Sequence, residues 1–123
     1  MTILEAMTQA DLARPNELEP ELKLRWLSTL DGQIHAELMA PCGEGPAVFS
    51  PYGADTELTR SSLLAPFPYD ELYLLWLVMQ IDLAQGELER YNNDALRFNR
   101  CWQSFAAHWS RTHLQPGPAA LRF

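Results

Sequence analysis

The chain has 123 residues, a length typical of one compact domain, and 47% of them are apolar. Its formal net charge of -7 and its single lysine, Lys23, argue against a surface that holds nucleic-acid phosphates, since such surfaces depend on clustered lysine and arginine. Four Trp, four Tyr and five Phe supply the large apolar side chains that disordered segments lack. We therefore expect one folded core.

The small number of cysteines and the lack of a recognisable secretory signal predict a cytoplasmic protein. Cys42 and Cys101 are too few and too far apart for a disulfide framework or a zinc site, so we expect two free thiols. Residues 1–10 include acidic Glu5 and no basic residue before an apolar run, unlike a secretory signal. The longest apolar stretch, 72–81, is about half the ~20 residues that a membrane-spanning helix needs.

The first two predicted helices are bounded by capping residues and prolines. Thr2 and Glu5 have the spacing of a capping box, and Pro15 ends a short helix that runs to about Ala13. Pro20 suits the first turn of a second helix, which Pro41 stops. Its apolar residues recur at helical spacing at Leu22, Trp26, Leu27, Leu30, Ile34 and Leu38. Gly32 interrupts this helix, which is tolerable if another helix crosses closely there.

Residues 41–68 are rich in proline and glycine, so no helix fits this segment. It is either a proline-rich loop or a short β-hairpin that turns near Pro51, Tyr52 and Gly53. A short hairpin has little of its own to bury Phe49, Tyr52 and Leu58. We therefore expect these three residues to contribute to subunit contacts.

The third and fourth predicted helices form an antiparallel hairpin. Pro68 opens the third, which is apolar around nearly its whole circumference and is therefore buried. Gly86 ends it with a tight turn. The fourth carries an aromatic stripe, Leu88, Tyr91, Ala95, Phe98, Trp102, Phe105 and Trp109, which we expect the second and third helices to cover. The fold class is mainly α, a small bundle of about four helices, with residues 1–113 as a single domain and 114–123 as a C-terminal tail.

Charge is divided unevenly along the chain. All sixteen acidic residues lie at or before Asp94, whereas Arg97, Arg100, Arg111 and Arg122 follow it. Such polarity suits head-to-tail contact between identical copies, in which Arg97, Arg100 and Arg111 would contribute to the subunit interface. A solvated helix face that carries a few arginines is an equally good interpretation.

The sequence offers no convincing catalytic or metal site and implies no cofactor. His108 and His113 are five residues apart, which places them on different faces of a helix, unlike the four-residue spacing that lets two histidines share one metal. Cys101 has His108 two turns away, but free cysteines are usually only packed inside. Asp82, in the most apolar helix, faces residues 90–93 in the hairpin. We expect Arg90 or the asparagine amides to satisfy it, and the alternative is an acid in a functional site.

Several short motifs, in order, resemble a family of small proteins encoded among the head genes of tailed phages and prophages of Gram-positive bacteria. They lie at Trp26–Leu27 and 30–32, at 68–73, at Gln80–Ile81–Asp82, at Gly86–Glu87, at 90–93, at Phe98–Asn99, and at Arg111–Thr112–His113. The likeness therefore spans most of the chain.

The resemblance implies a helical head-tail connector, also called an adaptor or head-completion protein. In such families about a dozen copies form a ring beneath the portal protein, extend the DNA channel and dock the next neck or tail component. DNA would pass through without specific binding, and an acidic wall would repel its phosphates. In the tail, Leu121, Arg122 and Phe123 are suited to contact a portal subunit, although a disordered end is an equal alternative. The protein would be a virion component assembled in the bacterial cytoplasm.

Two other function classes remain open. A cytosolic acidic helical regulator or inhibitor would bind one partner and stay a monomer or dimer, whereas a connector would form rings. A small enzyme would require Asp82 to open onto a cleft beside His35 or His108.

Overall fold

The structure, a computed structural model, describes residues 1–44 and 46–113. It is mainly helical, with α1 at Ile3–Ala13, α2 at Pro20–Ile34, α3 at Glu71–Ala84 and α4 at Leu88–His113. The four helices pack into one small bundle around a continuous apolar core. The predicted fold class, a mainly α bundle of about four helices, is confirmed.

Helix α1 begins with the predicted capping box. The Thr2 hydroxyl accepts a hydrogen bond from the Glu5 N–H at 3.2 Å, and the Thr2 N–H donates to the Glu5 carboxylate at 2.8 Å. Two further N–H groups of the first turn, those of Ile3 and Leu4, donate to the carbonyls of Ser61 and Leu58. The free donors of this helix end are therefore satisfied partly by the long loop, which fixes the loop against α1.

Helix α2 begins at Pro20, as predicted, but its α-helical part ends at Ile34, before the predicted stop at Pro41. Helical turns continue as a π-helix over His35–Met39 and a 3-10 turn over Ala40–Cys42. Because the ring of Pro41 would clash with the carbonyl four residues earlier, a regular α-helix cannot pass through it. Helical turns therefore extend as far as predicted, but the last of them are π and 3-10 turns instead of α-helix.

The predicted apolar stripe of α2 faces the core. Leu27, Leu30 and Ile34 are fully buried, and Trp26 and Leu38 pack against the core while partly exposed. The neighbour of Gly32 differs from the prediction, since among the described residues it is the loop, rather than a helix, that lies against it. The ring of Phe49, from the loop, lies 3.6 Å from the position that a Cβ at Gly32 would occupy.

Helix α3 is the centre of the bundle. It packs against α1, α2 and α4, and Leu72, Tyr73, Leu77 and Ile81 have no exposed surface. A helix that is apolar all round needs neighbours on every side, so the predicted burial of α3 is confirmed.

Helices α3 and α4 form the predicted hairpin. Gly86 has a φ of 76°, a left-handed conformation that glycine adopts without a steric penalty. The Glu87 N–H donates to the Asp82 carbonyl at 2.8 Å and closes the turn. Further along the hairpin Trp76 contacts Phe98. The two helices therefore run antiparallel to each other.

The buried face of α4 is rotated slightly from the predicted aromatic stripe. Phe98, Phe105 and Trp109 are buried as predicted, but Leu88 is 60% exposed. Among the polar positions Asp94 and Cys101 are buried. The reason is that α3 covers most of the buried face of α4. The π-helix at His35–Met39 covers a smaller part of it, and α2 itself covers little.

The segment between α2 and α3 is the proline-rich loop rather than the hairpin. In residues 46–70 there is no strand, and the only β-type pairing recorded there is an isolated bridge between Ser62 and Thr2. The loop lies over the bundle and buries Leu63 and Ala65 in the core.

Lys23 fastens α2 to α1. Its side chain is 4% exposed, and its Nζ lies 2.7 Å from Asp11 Oδ1. Asn16 donates to the same oxygen at 3.0 Å. The two hydrogen bonds hold the corner between α1 and α2.

Candidate functional site

Asp31 is a buried carboxylate at the junction of α2, α3 and the loop. Its Oδ1 accepts from the Tyr73 hydroxyl at 2.6 Å, and its Oδ2 accepts from the Tyr52 hydroxyl and, at 3.2 Å, from the Leu64 N–H. Burial raises the pKa of Asp31, whereas the tyrosine hydrogen bonds lower it. Because its donors come from both the loop and α3, this cluster ties the loop to the bundle.

Phe49, Tyr52 and Leu58 were assigned to a subunit interface because the loop was expected to have little to bury them. The structure shows that this reason is wrong. The Tyr52 N–H donates to Ser28 Oγ at 3.0 Å, and its ring packs edge-on against Phe49 with centroids 5.5 Å apart. Tyr52 and Leu58 both pack against the chain's own core. The chain's own core and α2 therefore bury most of these side chains, and only their partly exposed edges remain for a partner.

Asp82 is fully buried, and its partner was predicted wrongly. Both of its carboxylate oxygens lie 3.1 Å from Nε of Arg14, the residue that ends α1. Arg90 instead lies on the surface, 3.9 Å from Glu87. The interpretation of Asp82 as a satisfied structural carboxylate fits this geometry, but the cation comes from α1 because α1 packs on α3.

Asp94 of α4 is a second carboxylate in this cluster and was not singled out from the sequence. It is 2% exposed, and its Oδ1 lies 3.5 Å from the Arg14 guanidinium. Its Oδ2 is buried without a hydrogen-bond partner in the described part of the chain. Burial and the neighbouring Asp82 raise the pKa of Asp94 to about 6. One arginine therefore serves two buried carboxylates.

A shallow groove of about 440 Å³ lies between the start of α3 and the middle of α4. We call it the arginine groove; it is lined by Pro68, Tyr69, Glu71, Leu75, Arg97, Arg100, Cys101 and Ser104. Arg97 and Arg100 are exposed, while Leu75 and Cys101 are nearly buried. The structure thus brings together two of the three arginines predicted for the subunit interface.

Arg111 lies further along α4 and is exposed, but it does not line this groove. Leu121, Arg122 and Phe123, predicted to bind a portal subunit, lie outside the described residues.

Cys101 is unsuited to act as a nucleophile. Burial and the adjacent Glu71 raise the pKa of its thiol to about 12, so the thiolate is scarce at neutral pH. Cys42 and Cys101 are both free thiols, as predicted.

The histidines serve in packing. His108 lies against the ring of Tyr69 with centroids 5.1 Å apart, and His113 stacks on Trp109 at 3.6 Å. His35 Nε2 lies 2.6 Å from the Pro46 carbonyl. Across residues 1–44 and 46–113, no three His, Cys, Asp or Glu side chains are placed to hold a metal ion.

The residues that sequence reasoning missed share one signal. Asp31 lies next to Leu30 in the buried stripe of α2, and Asp94 precedes Phe98 by one turn in that of α4. A carboxylate on a stripe that faces the core requires a partner, and this rule would have marked both residues.

Comparison of the chain with models of known protein families, with curated proteins and with solved structures gives no match. No helix among the described residues is both long and apolar enough to cross a lipid bilayer.

Proposed function

We propose that the chain is a structural subunit of a tailed-phage particle, a head-tail connector or adaptor that forms a ring below the portal protein. It links the portal to neck or tail components through protein contacts and performs no catalysis. The order of the sequence motifs supports this proposal. So does the small helical bundle, which is the fold that the resemblance implies.

The observation that carries the proposal is the division of charge on the surface. Within the described residues, ion pairs engage Arg14, Lys23 and Arg90, whereas Arg97, Arg100 and Arg111 of α4 have none, as is also true of Arg25 and Arg60 elsewhere in the chain. Exposed arginines on one part of α4 are therefore available to carboxylates of another polypeptide. Charged surfaces arranged in this way select partners and orientation.

The net charge of -7 also suits a channel through which DNA passes. A wall with excess carboxylates repels phosphates and does not retain the duplex. In this proposal a homo-oligomeric ring of about a dozen copies surrounds DNA without specific binding.

The proposed ring uses three groups of predicted interface residues: arginines of α4, loop side chains and the C-terminal tail. Arg97, Arg100 and Arg111 contact the neighbouring subunit, and the partly exposed edges of Phe49, Tyr52 and Leu58 border it. Leu121, Arg122 and Phe123 reach a portal subunit. The assembled protein is located in the virion.

The test is to mix the purified chain with its cognate portal protein. Light scattering measures the mass of each species, and electron microscopy of negatively stained particles shows their shape. We expect rings of the chain alone or a ring added to the portal. Omitting the portal and replacing it with an unrelated ring protein are the controls.

A chain that stays a monomer or dimer and never joins the portal would contradict the proposal and favour the acidic regulator. Retention of duplex DNA at physiological salt would also contradict it, since the proposed channel wall repels DNA.

A further inference from the structure

The arginine groove combines cationic and apolar groups. Arg97 and Arg100 stand at its rim, and Leu75 and the ring of Tyr69 form part of its lining. Glu71 contributes one opposing charge, so the two arginines leave the groove positive. Such a groove fits an apolar side chain that is flanked by carboxylates.

The beginning of α4 presents that chemistry. We call Glu87, Leu88 and Glu89 the acidic tip. All three are exposed, and Leu88 keeps 60% of its surface in solvent. Arg90 lies 3.9 Å from Glu87, at the limit of an ion pair, and both side chains are at least half exposed. A surface contact of this kind is weak, so Glu87 remains available to a partner.

The acidic tip and the arginine groove lie at different positions along α4, and Glu89 shares a side of the helix with Arg100. Leu88 and Arg97 are nine positions apart on α4, which is about two and a half helical turns. They therefore lie on opposite sides of the helix. Glu89 and Arg100 are separated by about 16 Å along the axis. A twofold dimer can place the tip of each copy against the groove of the other, whereas a head-to-tail contact leaves one tip and one groove free for further copies, as the proposed ring requires.

We infer that the acidic tip of one copy inserts into the arginine groove of the next copy, head to tail. This inference rests on the proposed ring and names the surfaces that build it. Leu88 contacts the half-buried ring of Tyr69 of its neighbour, while Glu87 and Glu89 pair with Arg97 and Arg100. Each copy offers one tip and one groove, so the head-to-tail contact repeats from copy to copy and forms a ring when the rotation between copies closes.

The occupant is a second copy because the charges are complementary within this chain. The tip supplies two carboxylates and an exposed leucine, and the groove supplies two guanidinium groups without ion-pair partners in residues 1–44 and 46–113. Stable interfaces bury about 800 Å² on each partner. The tip and groove are therefore the central contact of a larger interface.

The experiment reverses charge on each surface separately. R97E/R100E makes the groove acidic, and E87R/E89R makes the tip basic. R25E/R60E is the matched control for the first variant, because Arg25 and Arg60 are exposed outside the groove. Circular dichroism confirms folding. If R97E/R100E does not fold, R97Q/R100Q and L88D replace it as milder changes to the same contact.

Sedimentation of each variant measures self-association. We expect R97E/R100E and E87R/E89R each to weaken it at least about tenfold, and R25E/R60E to leave it unchanged. A mixture of the two reversed variants restores assembly, because each reversed surface then meets its complement. Recovery in the mixture separates a direct contact from a general effect of charge.

The outcomes separate this inference from the proposed function. If the unmodified chain assembles and R97E/R100E assembles equally well, the tip-groove contact is wrong and the connector role stands. If the unmodified chain neither self-associates nor joins the portal, both are overturned. Loss of assembly in the control as well as the groove variant would also refute the specific contact.

Discussion

Asp94 is a buried carboxylate between α3 and α4 whose only ion-pair partner among the described residues is Arg14. It is buried beside Asp82, and both carboxylates depend on Arg14. In an unfolded chain Asp94 loses its proton near its ordinary pKa of 3.8, whereas burial and Asp82 hold its pKa at about 6 in the fold. The folded state binds more protons between these values, so the contribution of Asp94 to stability falls as pH rises through this window.

Asp94→Asn should therefore stabilise the protein above pH 6. The amide cannot ionise and can donate a hydrogen bond to Asp82, which removes the cost of a second buried charge. We expect the Tm to rise by about 3 °C or more at pH 7.5, with the gain shrinking towards pH 4. Thermal melts across this pH range measure the effect.

Asp82→Asn is the matched control. It removes the carboxylate that accepts from Arg14 Nε with both oxygens, so it should lower the Tm at pH 7.5. An equal gain from Asp94→Asn at every pH would show that titration of Asp94 is not the cause.

Among the elements, the long loop depends most on single polar contacts. The Tyr52 hydroxyl donates to Asp31, and its backbone N–H donates to Ser28. These contacts and the Leu64 N–H attach the middle of the loop to α2 and α3. The loop is thus held in place by hydrogen bonds to a buried carboxylate and to Ser28, whereas a hairpin would be held by hydrogen bonds between its two strands.

Tyr52→Phe should loosen the loop while leaving the helices folded. The change removes one donor from a buried carboxylate, at a cost of about 1 to 2 kcal/mol. Urea unfolding measures the loss, and limited proteolysis within residues 46–70 should become faster. Tyr91→Phe is the control, since no hydrogen bond of the Tyr91 hydroxyl is found among the described residues. Equal effects of both changes would contradict the role of the Asp31 cluster.

Local patterns predicted the helices well because their causes are local. The Thr2–Glu5 capping box spans one turn, and Gly86 satisfies a backbone requirement at its own position. By contrast, Tyr73 and Asp31 are 42 residues apart, and Arg14 and Asp82 are 68 apart. No periodicity encodes such distant polar pairs, so the loop attachment and the cation for Asp82 were missed.

For the whole molecule, the important property is the uneven order of charges along the chain. Two arginines of the proposed interface line one groove, and the third lies further along α4. The carboxylates of the acidic tip lie at the other end of that helix. The order of charges in the sequence led to the proposed interface, which stays a prediction, and the structure adds the groove that two of its arginines line.

Self-association should weaken as salt concentration rises. The proposed contact joins exposed charges, and salt shortens the Debye length from about 10 Å at 0.1 M to about 3 Å at 1 M. We expect the dissociation constant to increase about tenfold or more over this range. Sedimentation at several salt concentrations measures it. Stronger association in high salt would indicate an apolar interface instead.

The burial of Lys23 has a practical consequence for chemical labelling. The only ε-amine of the protein is shielded by its bond to Asp11 and cannot reach an acylating reagent while α1 and α2 stay packed. Its rate of acylation, followed by mass spectrometry, should therefore report at a single atom how often that corner of the bundle opens.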